Sequence, residues 1–401
     1  MLFPPPDPRA GWQDKGPQAV EHLTAVGHVR VRRRVWWKPG AGTQAPGDEW
    51  LNGGGPRISV GARELCSRIG QHPQGFRKSA DALQRLAGLT VSPERLRQIV
   101  EGEGRRIAAA RAAGQVPPSW QADACRVTPG GPSRVYVGVD GVLVPMVTVG
   151  EKAKRRATRA RRRRGHRAGG GGRRRRLGRG YRERYKEYKL TVFYDQDKQH
   201  RQAAATGGGP DAVGRELRRT GRRLGLERTE EVLAIVDGAP WIRAQLQHWR
   251  SCDRIGLDFY HFSEHVALAA KACFGEGTAA AQAWREQVLH AALHAGPDEV
   301  LDEITRQRQQ ARAPAKREAL RRLRAYVGER VAMMDYPACR AKGWDLGSGP
   351  TEAQCKTMTA RLKGSGMRWD PPNAAALLAL SALADSGEWS AYWRRQGIQW
   401  N

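Results

Sequence analysis

The chain has 401 residues, 27% of them charged, with a net charge of +29 and a pI near 10.8. That length can bury a sizeable core across two or three domains, and that charge points to a polyanionic partner, nucleic acid above all. It has no apolar run of about 18 residues to span a membrane, no basic-then-apolar secretory signal in the start M-L-F-P-P-P-D-P, and six scattered cysteines without a C-x-x-C pair.

A soluble, cytoplasmic protein with free thiols is therefore expected. Residues 1–56 are rich in Pro and Gly and read as a weakly structured N-terminus. Within them, V-R-V-R-R-R-V-W-W at 29–37 could form a strand with arginines on one face. Residues 57–130 turn helical. A short helix over 79–87 closes at Gly88, and Ser92 with Pro93 opens a second one, carrying Leu96, Ile99 and Val100 on one side and Arg95, Arg97 and Gln98 on the other. Helix, short turn and helix with polar side chains outward is the plan of a helix-turn-helix, with Arg95 and Arg97 as candidate DNA contacts; an ordinary helical hairpin fits the same residues.

The stretch V-Y-V-G-V-D-G-V-L-V-P at 135–145 has the length and β-branched content of a buried strand, interrupted by Asp140-Gly141. Residues 151–186 then hold 18 Lys or Arg against two Glu. This block reads as a flexible arm between strands that grips phosphates without regard to sequence, through Arg161, Arg162, Arg163 and Arg164 and through Arg173, Arg174, Arg175 and Arg176. Strands are expected over 188–194, 232–236 and 255–262, with a helix over 211–225 between the first two. The second of these strands ends in Asp237-Gly238, and the helical composition of 263–340 reads as an insertion. Residues 350–363 and 373–385 give further helices, and the first carries Glu352 in G-S-G-P-T-E-A-Q-C-K.

A strand with Asp, hairpin strands, a helix, a second strand with Asp and a late helix with Glu is the order of an RNase H-like mixed-sheet α/β core. That core would run over 131–262 and 341–401, interrupted by the all-α insertion and preceded by the helical DNA-binding region. Asp140, Asp237 and Glu352 would then ligate two Mg²⁺ ions, with Mn²⁺ as a substitute, because hard cations prefer oxygen ligands. A hairpin turn is the competing reading of each Asp-Gly.

The motifs Y-V-G-V-D-G-V-L-V-P, Y-K-E-Y-K-L-T-V-F-Y-D-Q-D, I-V-D-G-A-P-W-I, D-F-Y-H-F-S-E-H and G-S-G-P-T-E-A-Q-C-K-T-M-T-A-R-L-K-G-S-G-M-R-W occur in that order. Over about residues 57–400 the chain resembles bacterial insertion-sequence transposases of the ISKra type, RNase H-like DDE enzymes related to the Mutator-like group. The resemblance implies Asp140, Asp237 and Glu352 as the catalytic triad. It implies Mg²⁺-dependent cleavage and joining of DNA strands at terminal inverted repeats and target DNA, by a homo-oligomer associated with the nucleoid. D-x-x-H at 258–261 makes His261 a candidate for positioning DNA, with a structural histidine at a strand end as the alternative, and Glu264 is a rival acid. Arg361, Lys363, Arg368 and Trp369 would hold phosphate and stack a base, with a packed Trp369 and solvated arginines as the alternative. Family members often carry a Cys-rich segment where residues 28–56 hold no Cys and only His28, so no zinc is expected there. An RNase H-like nuclease or junction resolvase, and a non-catalytic DNA-binding remnant of a mobile element, remain as alternatives.

Overall fold

The computed structural model describes residues 11–48, 57–164, 184–249 and 251–398. It is mixed α/β. By internal contacts the chain divides into two units, one of Met1–Ser119, Leu143–Glu187 and Met358–Asn401, the other of Trp120–Val142 and Tyr188–Thr357.

The first unit opens with strands β1 (Gln13–Thr24), β2 (Gly27–Lys38) and β3 (Gly42–Gln44), paired antiparallel in that order. The expected weakly structured N-terminus is thus corrected over Gln13–Gln44, while residues 1–10 and 49–56 lie outside the described residues. The alternation that marks V-R-V-R-R-R-V-W-W as a strand finds a partner in β1, where Val20 faces Val31, and Val35 is fully buried. Arginines leave this sheet toward both sides, Arg34 Nε donating to Asp14 at 2.8 Å and Arg33 pairing with Asp48 at 2.6 Å.

Helices α1 (Val60–Gly70), α2 (Phe76–Ala87) and α3 (Pro93–Ala112) follow. Ser92 caps α3 through its hydroxyl, which accepts from Arg95 N at 3.2 Å, and Leu96, Ile99 and Val100 are buried. A buried ion pair, Arg63 to Glu103 at 2.9 Å, links α1 to α3, and Tyr392 Oη donates to the same carboxylate at 2.6 Å.

Residues 149–164 are helical, which corrects the flexible arm over that span. This is α4 (Val149–Arg164), with Arg161, Arg162, Arg163 and Arg164 in its last turn; Arg173, Arg174, Arg175 and Arg176 lie outside the described residues. Its start is a capping box, in which Glu151 N donates to Thr148 Oγ1 and Thr148 N to Glu151 Oε2, both at 3.2 Å.

The second unit is organised by a five-stranded mixed sheet. It is formed by β4 (Arg134–Pro145), β5 (Tyr185–Asp195), β6 (Arg201–Thr206), β7 (Glu231–Val236) and β8 (Arg254–Leu257), in the order β6-β5-β4-β7-β8. β4, β7 and β8 run parallel, and β5 and β6 form an antiparallel hairpin. Val135, Val137, Val139, Val232, Ala234 and Val236 pack on one side with the helices, whereas Tyr136, Tyr194, Leu233 and Ile235 form a second cluster. Burial on both faces explains why these strands read as nearly continuous apolar runs.

Helices α5 (Pro210–Leu224) and α6 (Pro240–Gln247) flank β7 in sequence. The chain then becomes helical with α7 (Phe259–Phe274), α8 (Ala279–His294), α9 (Pro297–Gln310), α10 (Pro314–Gly328) and α11 (Tyr336–Ala341). The strand expected over 255–262 stops at Leu257, because Asp258 accepts from Tyr260 N and His261 N and so caps α7. His261 therefore sits in the first turn of a helix rather than at a strand end. Helices α12 (Gly349–Thr359), α13 (Pro371–Asp385) and α14 (Trp389–Arg395) complete the chain. No helix among the described residues is long and apolar enough to cross a membrane.

Candidate functional site

The register of the parallel strands sets acids side by side. Val137 pairs with Ala234, and Val236 with Leu257. Counting on from those pairs, Asp140 on β4 is level with Asp237, just after β7, and with Asp258, just after β8; neighbouring strands lie ~4.8 Å apart. All three, with His261, Glu264 and Glu352, line a cavity of about 290 Å³ in the second unit.

Asp140 lies inside β4, and its Oδ1 accepts from its neighbour Gly141 N at 2.6 Å. The Asp-Gly here is not a hairpin turn. Nor is it one at Asp237, where the chain bends from β7 into α6: Oδ1 accepts from Ala239 N at 2.8 Å, Gly238 has φ +78°, and α6 begins at Pro240. A turn residue and a cavity carboxylate are the same group at this position.

Glu352 is exposed in the first turn of α12. Two contacts hold that turn against the sheet. Ser348 donates its N–H at 2.7 Å, and also its hydroxyl, to Asp258 Oδ2, and Ser348 O accepts from Glu352 N at 3.1 Å. Gly138 of β4 leaves room for Thr351, since a Cβ there would lie 1.7 Å from Thr351 Oγ1. Gly347, just before α12, meets a crowding neighbour, the Tyr260 ring at 2.7 Å from a Cβ built there, whereas Gly349, the first residue of α12, has nothing within 4 Å.

Asp258 was not singled out as an acid of this cavity from the sequence, although D-x-x-H brought it into view. It is 2% exposed, with both carboxylate oxygens occupied by N–H or O–H donors. His261 Nδ1 lies 3.8 Å from Glu264 Oε2, so the rival acid stands at the same cavity as Glu352.

The donor set of Asp140, Asp237 and Glu352 is all carboxylate oxygen, which suits Mg²⁺. It is a spread set. Among the described residues, the one group of three His, Cys, Asp or Glu side chains with ligand atoms within 4.8 Å of one another is Cys125, Asp195 and His200. There, Asp195 accepts from His200 N and pairs with His200 Nδ1, both at 2.9 Å, closing the β5–β6 hairpin. Burial pushes the Cys125 thiol up to about 12, with the nearby Asp195 and Asp123 charges adding to the shift.

The remaining candidates belong to the first unit. Arg95 is exposed, and Arg97 is held by Glu94 and Glu101, each at 2.6 Å. Lys363 is exposed, and Arg368 is paired with Glu151. Trp369 corrects the expectation of base stacking. It is 7% exposed, its Nε1 donates to Leu362 O at 3.0 Å, and the Arg361 guanidinium occupies its ring face at 5.2 Å. A ring so enclosed has no face to offer a base. No protein-family model matches the chain, and no curated protein does.

Proposed function

We propose that the acidic cavity is the catalytic centre of a metal-dependent DNA phosphoryl transferase with an RNase H-like core, and that the chain is a DDE transposase of the insertion-sequence type. One observation carries this reading: Asp140, Asp237 and Glu352, far apart in sequence, line one cavity beside the inner strands β4 and β7 of a mixed sheet. The charge of +29 supplies the affinity that a DNA substrate demands.

Asp140, Asp237 and Glu352 would hold two Mg²⁺ ions, or Mn²⁺ in their place. When bound, the ions supply activation of water or a 3′-hydroxyl and stabilisation of the leaving oxygen in an in-line displacement. A spread carboxylate set suits two ions better than one. His261 and Glu264 line the same cavity and would orient the scissile phosphate or take a proton from the attacking hydroxyl. Asp258, with both oxygens occupied, is a positioning residue that fixes the loop leading to Glu352. Helices α2 and α3, with Arg95 and Arg97, would read the terminal inverted repeats, and the basic run from α4 onward would hold the backbone. Synapsis of two DNA ends would call for a homo-oligomer on DNA, in a bacterial cytoplasm and at the nucleoid.

The test is cleavage and joining of duplexes bearing the element's ends, with Mg²⁺, comparing wild type with Asp140→Asn, Asp237→Asn and Glu352→Gln. Each substitution, and a chelator, is expected to abolish both steps with circular dichroism unchanged. Cleavage without joining would turn the reading to a nuclease or resolvase. DNA binding with all versions equally inert would leave a non-catalytic remnant.

A further inference from the structure

The first unit contains a larger cavity, of about 680 Å³, with Arg361 on its wall. Arg361 is 3% exposed and has no carboxylate partner among the described residues. Its Nε donates to Gly70 O at 3.2 Å, its Nη1 contacts Met367 Sδ at 2.8 Å, and its guanidinium sits 4.4 Å from the Phe76 ring centre. Burial pushes its pKa down to about 10, so it stays charged at neutral pH. A buried cation without a counter-ion is costly, and two aromatic faces and one carbonyl offset only part of that cost.

The other cations on this wall are largely neutralised. Arg97 is held by Glu94 and Glu101, Lys152 by Asp370 at 2.6 Å, and Arg368 by Glu151. Arg156 is exposed and forms no ion pair among the described residues. The surplus positive charge is therefore Arg361 and Arg156.

A second feature points the same way. Gly75 and Phe76, which line the cavity, are the start of α2, a helix of 12 residues with no side-chain cap and no acid in its first turn. Its leading N–H groups thus lack a side-chain acceptor. An uncapped helix start beside an uncompensated guanidinium presents N–H donors and positive charge to an anion.

We propose that this cavity is a binding site for a phosphodiester of a nucleic-acid strand, anchored by Arg361 and the α2 N-terminus, with Arg156 as its exposed cation. Its volume suits a nucleotide rather than a bare ion. The site shares only the nucleic-acid partner with the catalytic reading. The two fail separately, because binding here requires neither the acids nor a metal.

The test titrates the full chain in low salt with a dinucleoside monophosphate and, in parallel, inorganic phosphate, followed by calorimetry. Wild type should bind one dinucleotide per chain. Arg361→Met should weaken it at least tenfold while melting no lower than wild type without ligand. Arg156→Glu should also weaken it about tenfold, and Arg30→Gln, an exposed change on β2, should have no effect. If Arg361→Met does not fold, Arg156→Glu decides. Absence of binding, binding indifferent to Arg156→Glu and to Arg361→Met where it folds, or inorganic phosphate binding as tightly as the dinucleotide would each overturn the proposal.

Discussion

Removing the Asp258 carboxylate should destabilise the chain by about 3–5 kcal/mol, although no residue around it is a large hydrophobe lost. Asp258 is 2% exposed and accepts from Tyr260 N at 2.7 Å, His261 N at 3.1 Å, Ser348 N at 2.7 Å and the Ser348 hydroxyl. In Asp258→Ala the α7 cap is lost, at about 1–2 kcal/mol. The Ser348 N–H and hydroxyl lose a charged acceptor, and because Ser348 is half-buried they recover water only in part, adding about 2–3 kcal/mol. Asp258→Asn keeps one oxygen but turns an amide donor toward one of the two donor pairs, so it should fall between wild type and alanine. Urea unfolding followed by tryptophan fluorescence would measure both variants at a common slope. A loss under about 1 kcal/mol in Asp258→Ala, or equal losses in the two variants, would refute the hydrogen-bond account.

Two further outcomes follow from close contacts and buried charge. Gly138→Ala forces Thr351 away, at about 1–3 kcal/mol for overpacking, and should lower both melting temperature and strand cleavage by shifting the turn that carries Glu352; Thr351→Ala in the same chain should restore part of each. Burial works to raise the Glu103 pKa, but its bonds to Arg63, Tyr392 and Arg106 prevail and hold it below the ordinary value of 4.5. The stability this provides is therefore complete above that value and is lost as pH falls through the folded pKa. Arg63→Ala should cost about 3–5 kcal/mol at neutral pH by taking the buried cation from that carboxylate, which keeps Tyr392 and the exposed Arg106, whereas Arg63→Met with Glu103→Leu should cost less and flatten the acid limb of a pH–stability profile.

What the sequence made legible follows from where its signals are local. The β-branched runs before Asp140 and Asp237 mark buried strands by composition alone, and Ser92-Pro93 marks a helix start by capping chemistry. The α4 start was equally local, since T-V-G-E at 148–151 is a capping box, but the arginine density of the following residues masked it. Alanines and straight-chain Lys and Arg are good helix formers even when their charges repel. The N-terminal sheet was harder to see because its register depends on a partner strand interrupted by Gly16 and Pro17. The fate of Trp369 was not legible, because Phe76 at its edge comes from a distant part of the sequence, and Arg361, although in the same motif, is held over the ring by contacts to Phe76 and Gly70, which are equally distant.

The row of acids also bears on the third ligand of the proposed metal site, because the packing favours one of its two candidates. Asp258 is level with Asp237, yet both its oxygens already accept protein donors, so it holds structure together rather than offering an open ligand atom. Among the described residues, Asp237 has only Oδ1 engaged, by Ala239 N. On the proposed metal-dependent reading the remaining ligand would be Glu352 or Glu264, both at the cavity wall. Asp258 fixes both, capping the helix of Glu264 on one oxygen and gripping the loop before Glu352 with the other. Only the turn bearing Glu352 is also seated on β4, through Thr351 over Gly138, next to Asp140 in the chain. Glu264 is 76% exposed in its side chain and faces His261. A ligand for an ion shared with Asp140 is better placed on the turn that packs on the strand of Asp140, so Glu352→Gln should abolish metal-dependent cleavage where Glu264→Gln reduces it by less than about tenfold. The reverse order in that assay would move the third ligand to α7 and leave the rest of the row in place.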